Sequence, residues 1–174
     1  YWSHDVGGFV QKAPRDLYRR WLGWGVLTSH TRAHGAPPRE PWEYDEALTE
    51  DFRRALGLKY SLMPYIYAEA KESSKNGYPM LRALFFEYPN DPTSWMIDDQ
   101  YMFGSKLLVA PLMEPGDTRK VYLPPGIWID YQHQNYSDDQ IAHMCLACRA
   151  GGLDPVVRVR KRELGSYSPA FEMG

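Results

Sequence analysis

Apolar and polar positions follow two regimes along the 174-residue chain. In the first, apolar runs alternate with stretches of helical periodicity. Residues 1–6 read as a short buried strand and residues 7–14 as the loop after it. Pro14 suits the first turn of a helix, and Asp16 lies where an acid complements the helix dipole. Leu17, Tyr18, Trp21, Leu22 and Trp24 follow at near-helical spacing, and Gly23 and Gly25 weaken the end of that helix. Residues 26–29 read as the next buried strand, with 30–35 as the loop at its carboxyl end. Pro37, Pro38 and Pro41 exclude helix between 36 and 41, and residues 42–44 pack this stretch down. The strongest helical pattern covers about 49–75. There Phe52, Leu56, Met63, Tyr67 and Ala70 give one apolar face, and Pro64 must kink the helix or divide it. Asn76-Gly77 is a helix stop. Residues 80–86 read as an apolar strand buried on both faces.

The order strand, helix, strand, helix, strand argues for parallel βαβ units and an α/β class. In such folds, sites gather at the carboxyl ends of strands. The pattern alone does not separate a barrel from a doubly wound sheet. After Pro89 the texture changes. Residues 101–103, 106–110, 119–123 and 127–131 are short strand-like runs, separated by Gly104, Pro111, Pro115-Gly116 and Pro124-Pro125-Gly126. Short strands without helices predict an antiparallel β domain.

Composition narrows the function classes. Hydrophobic residues make up 44% and aromatics 14%, enough for a core and too many for disorder. The formal net charge is −2 with no large basic block, which argues against nucleic acid as a partner. The basic run at 156–162 reads as a solvated strand edge or tail. No apolar run is long enough to span a bilayer. Cys145 and Cys148 have C-x-x-C spacing, but zinc needs two more ligands and the local candidate is His143 alone. His30 and His34 are four apart in a segment that does not read as helix and has no third ligand nearby. No metal and no cofactor are therefore assigned.

The densest chemistry lies in Tyr1-Trp2-Ser3-His4-Asp5-Val6-Gly7-Gly8-Phe9. Gly-Gly permits a sharp turn or a close approach of backbone to a ligand. An aromatic and an acid beside such a turn suit a sugar, which stacks one face and hydrogen-bonds its hydroxyls. The residues alone suit an ordinary strand end with a buried aromatic equally well.

A resemblance resolves that choice. Ser3-His4-Asp5-Val6-Gly7-Gly8-Phe9 resembles the S-H-D-I-G-G-F segment of glycoside hydrolase family 31, the retaining α-glucosidases and α-xylosidases. Ser29 to Gly35 resembles its S-x-x-R-x-H-G segment. Pro79-Met80-Leu81-Arg82-Ala83-Leu84 with Glu87-Tyr88-Pro89-Asn90-Asp91 resembles P-M-x-R-x-L…E-F-P-x-D. Asp99-Gln100-Tyr101-Met102-Phe103-Gly104 with Leu107-Leu108-Val109-Ala110-Pro111 resembles D-x-Q-Y-M-x-G…L-L-V-A-P. The four blocks stand in family order over residues 1 to about 131.

The resemblance implies an organisation. Residues 1–91 would be the last βα units of a (β/α)8 TIM barrel, including its last three strands. Residues 92–131 would begin a partial antiparallel β-sandwich, and 132–174 would be a divergent tail. It also implies that the chain is a piece of a larger enzyme, with localisation left open. The family's nucleophile and acid/base aspartates lie in W-x-D-x-N-E and W-x-G-D motifs upstream, and neither motif occurs here. No catalytic residue is expected in this chain. His34 matches a histidine that hydrogen-bonds sugar hydroxyls, Phe9 an aromatic that walls the pocket, and Asp5 a supporting pocket carboxylate. Trp2 is expected to pack beneath or to belong to the core. Arg32 pairs with a carboxylate such as Asp5, or caps its loop. His4 faces away from the pocket. Arg82, Glu87 and Asp91 are expected in a structural ion-pair network. The parent would hydrolyse terminal non-reducing α-linked xylose or glucose, with a carbohydrate as its partner. A truncated non-catalytic sugar-binding remnant and an α-glucan lyase are the alternatives.

Overall fold

The computed structural model describes residues 1–116, 119–125, 128–131 and 144–149. It divides into two compact units, Tyr1–Leu81 and Arg82–Gly174. His143 and the basic run at 156–162 fall outside the described residues.

The first unit opens with β1, Asp5–Val6, and crosses through helix α1, Arg15–Gly25, to β2, Arg32–Ala33. The two strands pair in parallel, Asp5 opposite Arg32 and Val6 opposite Ala33. This is the expected βα crossover, with shorter strands than the pattern predicts. α1 starts where Pro14 predicts, and its first turn carries Asp16, which accepts from Arg20 one turn on at 3.0 Å. Its inward side is formed by Tyr18 and Leu22.

Residues 26–29 are not a strand. They form a buried turn at the end of α1: Val26 donates to Leu22 at 3.2 Å and Leu27 to Trp24 at 3.0 Å. The Thr28 hydroxyl donates to the carbonyls of Gly25 and His30, at 3.1 and 2.6 Å. The run is apolar because Val26, Leu27 and Thr28 are fully buried, and burial here needs no ladder. The pairing falls instead on Arg32–Ala33, inside the stretch expected to be loop.

A 3-10 turn at Pro41–Glu43 leads to α2, Glu46–Ser61, and α3, Met63–Asn76. Asp45 caps α2 by accepting from the Leu48 N–H at 2.7 Å. Its hydrogen bond from Arg15, with the cap second, holds its carboxyl below the usual range. Pro64 divides the predicted helix. It has no N–H and its ring opposes the carbonyl four residues back, so Leu62 ends α2 and begins α3. That break displaces the helical phase. The buried apolar positions are Leu48, Ala55, Leu62 and Ile66, whereas Met63 and Tyr67 of the predicted face are exposed. α3 ends at Gly77 with φ 76°, the left-handed stop that Asn-Gly announces.

The strand expected at 80–86 shrinks to β3, Leu81–Arg82, and helix α4 follows at Leu84–Glu87. Its apolarity has two destinations. Leu84 enters the core of the second unit, while Phe85 and Phe86 are exposed. β3 pairs with β4 in the second sheet, so among the described residues the parallel pair gains no third strand.

That sheet has the order β3-β4-β5-β7-β6, where β4 is Tyr101–Phe103, β5 Leu107–Pro111, β6 Trp128–Asp130 and β7 Met144–Arg149. The pairs β4–β5, β5–β7 and β6–β7 are antiparallel, as the change of texture after Pro89 predicts. Gly104, at φ 64°, turns the β4–β5 hairpin. Its core joins Leu84, Tyr88, Met102, Leu108, Ala110, Val121, Leu123 and Trp128.

Residues 119–123 form no strand, although Val121 and Leu123 are buried. The Gln100 side chain replaces a neighbouring strand. Its amide donates to the Tyr122 carbonyl at 2.8 Å and accepts from the Tyr122 N–H at 2.7 Å. Arg82 pairs with Glu87 out of solvent. Asp91 caps the turn Pro92–Trp95 through the Thr93 N–H and accepts from the Tyr122 hydroxyl at 2.5 Å. Cys145 and Cys148 lie in β7, opposite Ala110 and Leu107.

Candidate functional site

The carboxyl ends of β1 and β2 lie side by side because the strands are parallel and in register. The loops leaving them carry the candidate residues. After Val6 the chain turns through Gly7 and Gly8, at φ 88° and 84°, and the Gly8 N–H returns to the Asp5 carbonyl at 2.9 Å. Only glycine adopts two such residues in succession at low cost. Space forbids a side chain as well: a Cβ on Gly7 would stand 2.6 Å from the Tyr18 ring.

The turn places Phe9 beside His34 of the second loop, with ring centroids 5.5 Å apart at 46°. Phe9 is 52% exposed, so much of its surface is open to a ligand. The loops are joined directly by the Ala36 N–H donating to the Phe9 carbonyl at 2.8 Å. An aromatic wall beside an imidazole offers a ligand an apolar surface and a group that both donates and accepts.

Asp5 is paired with Arg32, Nε to Oδ1 at 2.6 Å, directly across the strand register. The carboxylate is the less exposed partner, at 18% against 60%. Asp5 is thus a fixed charge engaged by a cation. Of the two roles open to Arg32, the structure places it on the carboxylate.

Trp2 stacks on Trp24 at 5.3 Å and meets His4 edge-on at 5.0 Å. His4 is also packed against Trp21 and Trp24. Its two ring nitrogens are buried without a hydrogen-bond partner among the described residues. Burial lowers its pKa, partly offset by neighbouring Asp5. His4 and Trp2 belong to an aromatic cluster on α1, separate from the Phe9–His34 wall.

Arg39 is a residue that sequence reasoning passes over. It is 2% exposed, and its guanidinium donates to the carbonyls of Gly8 at 2.5 Å, Phe9 at 3.5 Å and Pro38 at 3.4 Å. The Tyr18 hydroxyl donates to the Arg39 carbonyl at 2.8 Å, and burial raises the Tyr18 pKa. A single Arg within a proline-rich stretch carries no pattern that would announce this. Gly35 is the second omission. A Cβ there would meet the Gly8 carbonyl at 2.6 Å, Arg39 Nε at 2.7 Å and the Phe9 carbonyl at 2.8 Å. Among the described residues no group of three or more His, Cys, Asp or Glu is placed to hold a metal ion.

Comparison with known proteins matches both parts of the chain. Residues 1–69 match the glycosyl hydrolases family 31 TIM-barrel domain and residues 77–157 the glycosyl hydrolase family 31 C-terminal domain. The second match extends past residue 131, where the motif resemblance ends. An alpha-xylosidase of Emericella nidulans is 42% identical over 125 residues, covering 71% of this chain and 16% of that protein. Alpha-glucosidase 2 of Bacillus thermoamyloliquefaciens is 37% identical over 131 residues, covering 73% and 17%. Among solved structures, the family 31 alpha-xylosidase from a soil metagenome, complexed with xylose, superposes with TM-score 0.75 at 32% identity. That alignment covers 86% of this chain and 28% of that one. The chain thus spans about a sixth of the length of these curated relatives.

Proposed function

The chain belongs to glycosyl hydrolase family 31, and from that premise we propose that it forms part of a retaining α-glycosidase. The proposed substrate is a carbohydrate ending in a non-reducing α-linked xylose or glucose. Such an enzyme works with two carboxylates about 5 to 5.5 Å apart, one a nucleophile and one an acid/base. We assign both to sequence preceding Tyr1 in the complete enzyme. This chain then supplies part of the sugar pocket. His34 hydrogen-bonds ring hydroxyls, Phe9 walls the pocket, and Asp5, held by Arg32, keeps charge and loop in place. Trp2 supports the strand from behind. The reaction needs no metal or organic cofactor.

The observation that carries this reading is the adjacency of Phe9 and His34 at the carboxyl ends of a parallel strand pair. It puts an aromatic and a hydroxyl-binding group at the end of an α/β sheet where ligands bind. The test is His34→Ala in the full-length enzyme, assayed with aryl α-xylosides and α-glucosides. Loss of one or two hydrogen bonds of about 1 to 1.5 kcal/mol each should lower kcat/KM roughly 10- to 100-fold. An unchanged kcat/KM on every substrate the enzyme accepts would remove His34 from the pocket.

A further inference from the structure

Arg39 is out of solvent, yet what its guanidinium holds is backbone rather than a carboxylate side chain. A buried guanidinium is costly unless its donors are used. The acceptors explain its place. Gly8 and Phe9 form the turn after β1, and Pro38 belongs to the segment after β2. Arg39 itself lies in that second segment, so it ties one loop to the other. Its backbone is tied in turn to α1 through the Tyr18 hydroxyl. The two glycines nearest it are small where it passes. A Cβ on Gly7 would come within 3.2 Å of Arg39 Cδ, and one on Gly35 within 2.7 Å of Nε. The guanidinium thus fills the space between the turns that present Phe9 and His34.

We infer that Arg39 is a positioning residue: it sets the spacing of the Phe9 and His34 loops without touching the sugar. This rests on the pocket reading of Phe9 and His34 for its effect on catalysis, but the loop spacing is measurable by itself. Without the guanidinium, the carbonyls of Gly8 and Phe9 lose a buried donor, and the Ala36 to Phe9 hydrogen bond remains to hold the loops.

The test uses Arg39→Met, Arg39→Lys and His34→Ala in the full-length enzyme, with Arg39→Met also made in the His34→Ala background. Hydrogen exchange should rise about tenfold or more for the Ala36 amide and residues 8–10 in Arg39→Met, with exchange in α2 unchanged. Arg39→Lys, which can still serve one carbonyl, should recover part of that protection. Arg39→Met alone should lower kcat/KM about tenfold, and by less than about threefold once His34 is gone. A merely structural arginine would multiply its full loss onto His34→Ala. That result, or unchanged exchange at Ala36, overturns the inference. A harmless His34→Ala would sink the pocket reading instead, and exchange at Ala36 alone would then decide whether Arg39 spaces the loops.

Discussion

Gly35→Ala adds one methyl group at the junction of the two loops, and its consequence follows from three distances. The new Cβ would meet the Gly8 carbonyl oxygen at 2.6 Å, Arg39 Nε at 2.7 Å and the Phe9 carbonyl oxygen at 2.8 Å. Ordinary contact begins at about 3.4 Å, so the two oxygens must retreat by roughly 0.6 to 0.8 Å. Both oxygens are backbone atoms, so no side-chain rotation relieves the overlap. The retreat stretches the hydrogen bonds that Arg39 and Ala36 make to these carbonyls. Each is worth about 1 kcal/mol, and forced overpacking adds about 1 to 3 kcal/mol, so a loss of roughly 2 to 5 kcal/mol is expected. Separation of Phe9 from His34 by that distance should also lower kcat/KM, by up to about 100-fold. Urea unfolding and initial rates on the full-length enzyme measure the two effects. A variant within about 0.5 kcal/mol of wild type and with unchanged kcat/KM would refute the packing argument.

The opposite sign is expected at Gly57, in the exposed interior of α2, where an added Cβ meets nothing within 4 Å. Gly57→Ala should stabilise by about 0.5 to 1 kcal/mol with no change in activity; a lower urea midpoint would contradict this. Lys59 donates to the carbonyls of Val26 and Thr28, at 3.2 and 2.7 Å. Burial lowers its ammonium from its ordinary 10.5 to about 8. The unfolded chain then holds this proton where the folded one has released it, so stability from this group rises between about pH 8 and pH 10.5. Wild type should gain stability relative to Lys59→Met as the pH rises across that window, and parallel pH curves would show that Lys59 does not titrate there.

What the sequence discloses is what depends on near neighbours. Pro14, Asp16, Pro64 and Asn76-Gly77 act within one turn of themselves, and the helices begin, divide and end where these residues predict. The four-block motif discloses more, because it carries the family's arrangement with it. Apolarity is ambiguous where burial has several routes. Residues 26–29 and 80–86 read as strands because both are apolar, yet one is a buried turn and the other a short strand followed by a helix. Residues 119–123 read as a strand-like run, but the partner of Tyr122 is the side chain of Gln100. For the candidate site, the residues brought together as the Phe9–His34 contact and the Asp5–Arg32 pair are legible through the motif. Arg39 and Gly35 are not. What fixes them is contact with carbonyls of residues 8 and 9, far back in the chain, and no local pattern encodes such a contact.

The turn at Gly7-Gly8-Phe9 divides the mutational freedom of these two loops into two unequal parts. Gly7 and Gly35 each leave room for Arg39, so a side chain at either would press on that arginine. Phe9 and Val10 project from the same loop with 52% and 75% of their surface open. A combinatorial library that tests the proposed sugar contacts should therefore randomise Phe9 and Val10 and hold Gly7, Gly35 and Arg39 fixed. It would sample surface chemistry over an unchanged frame, and most of its members should still fold.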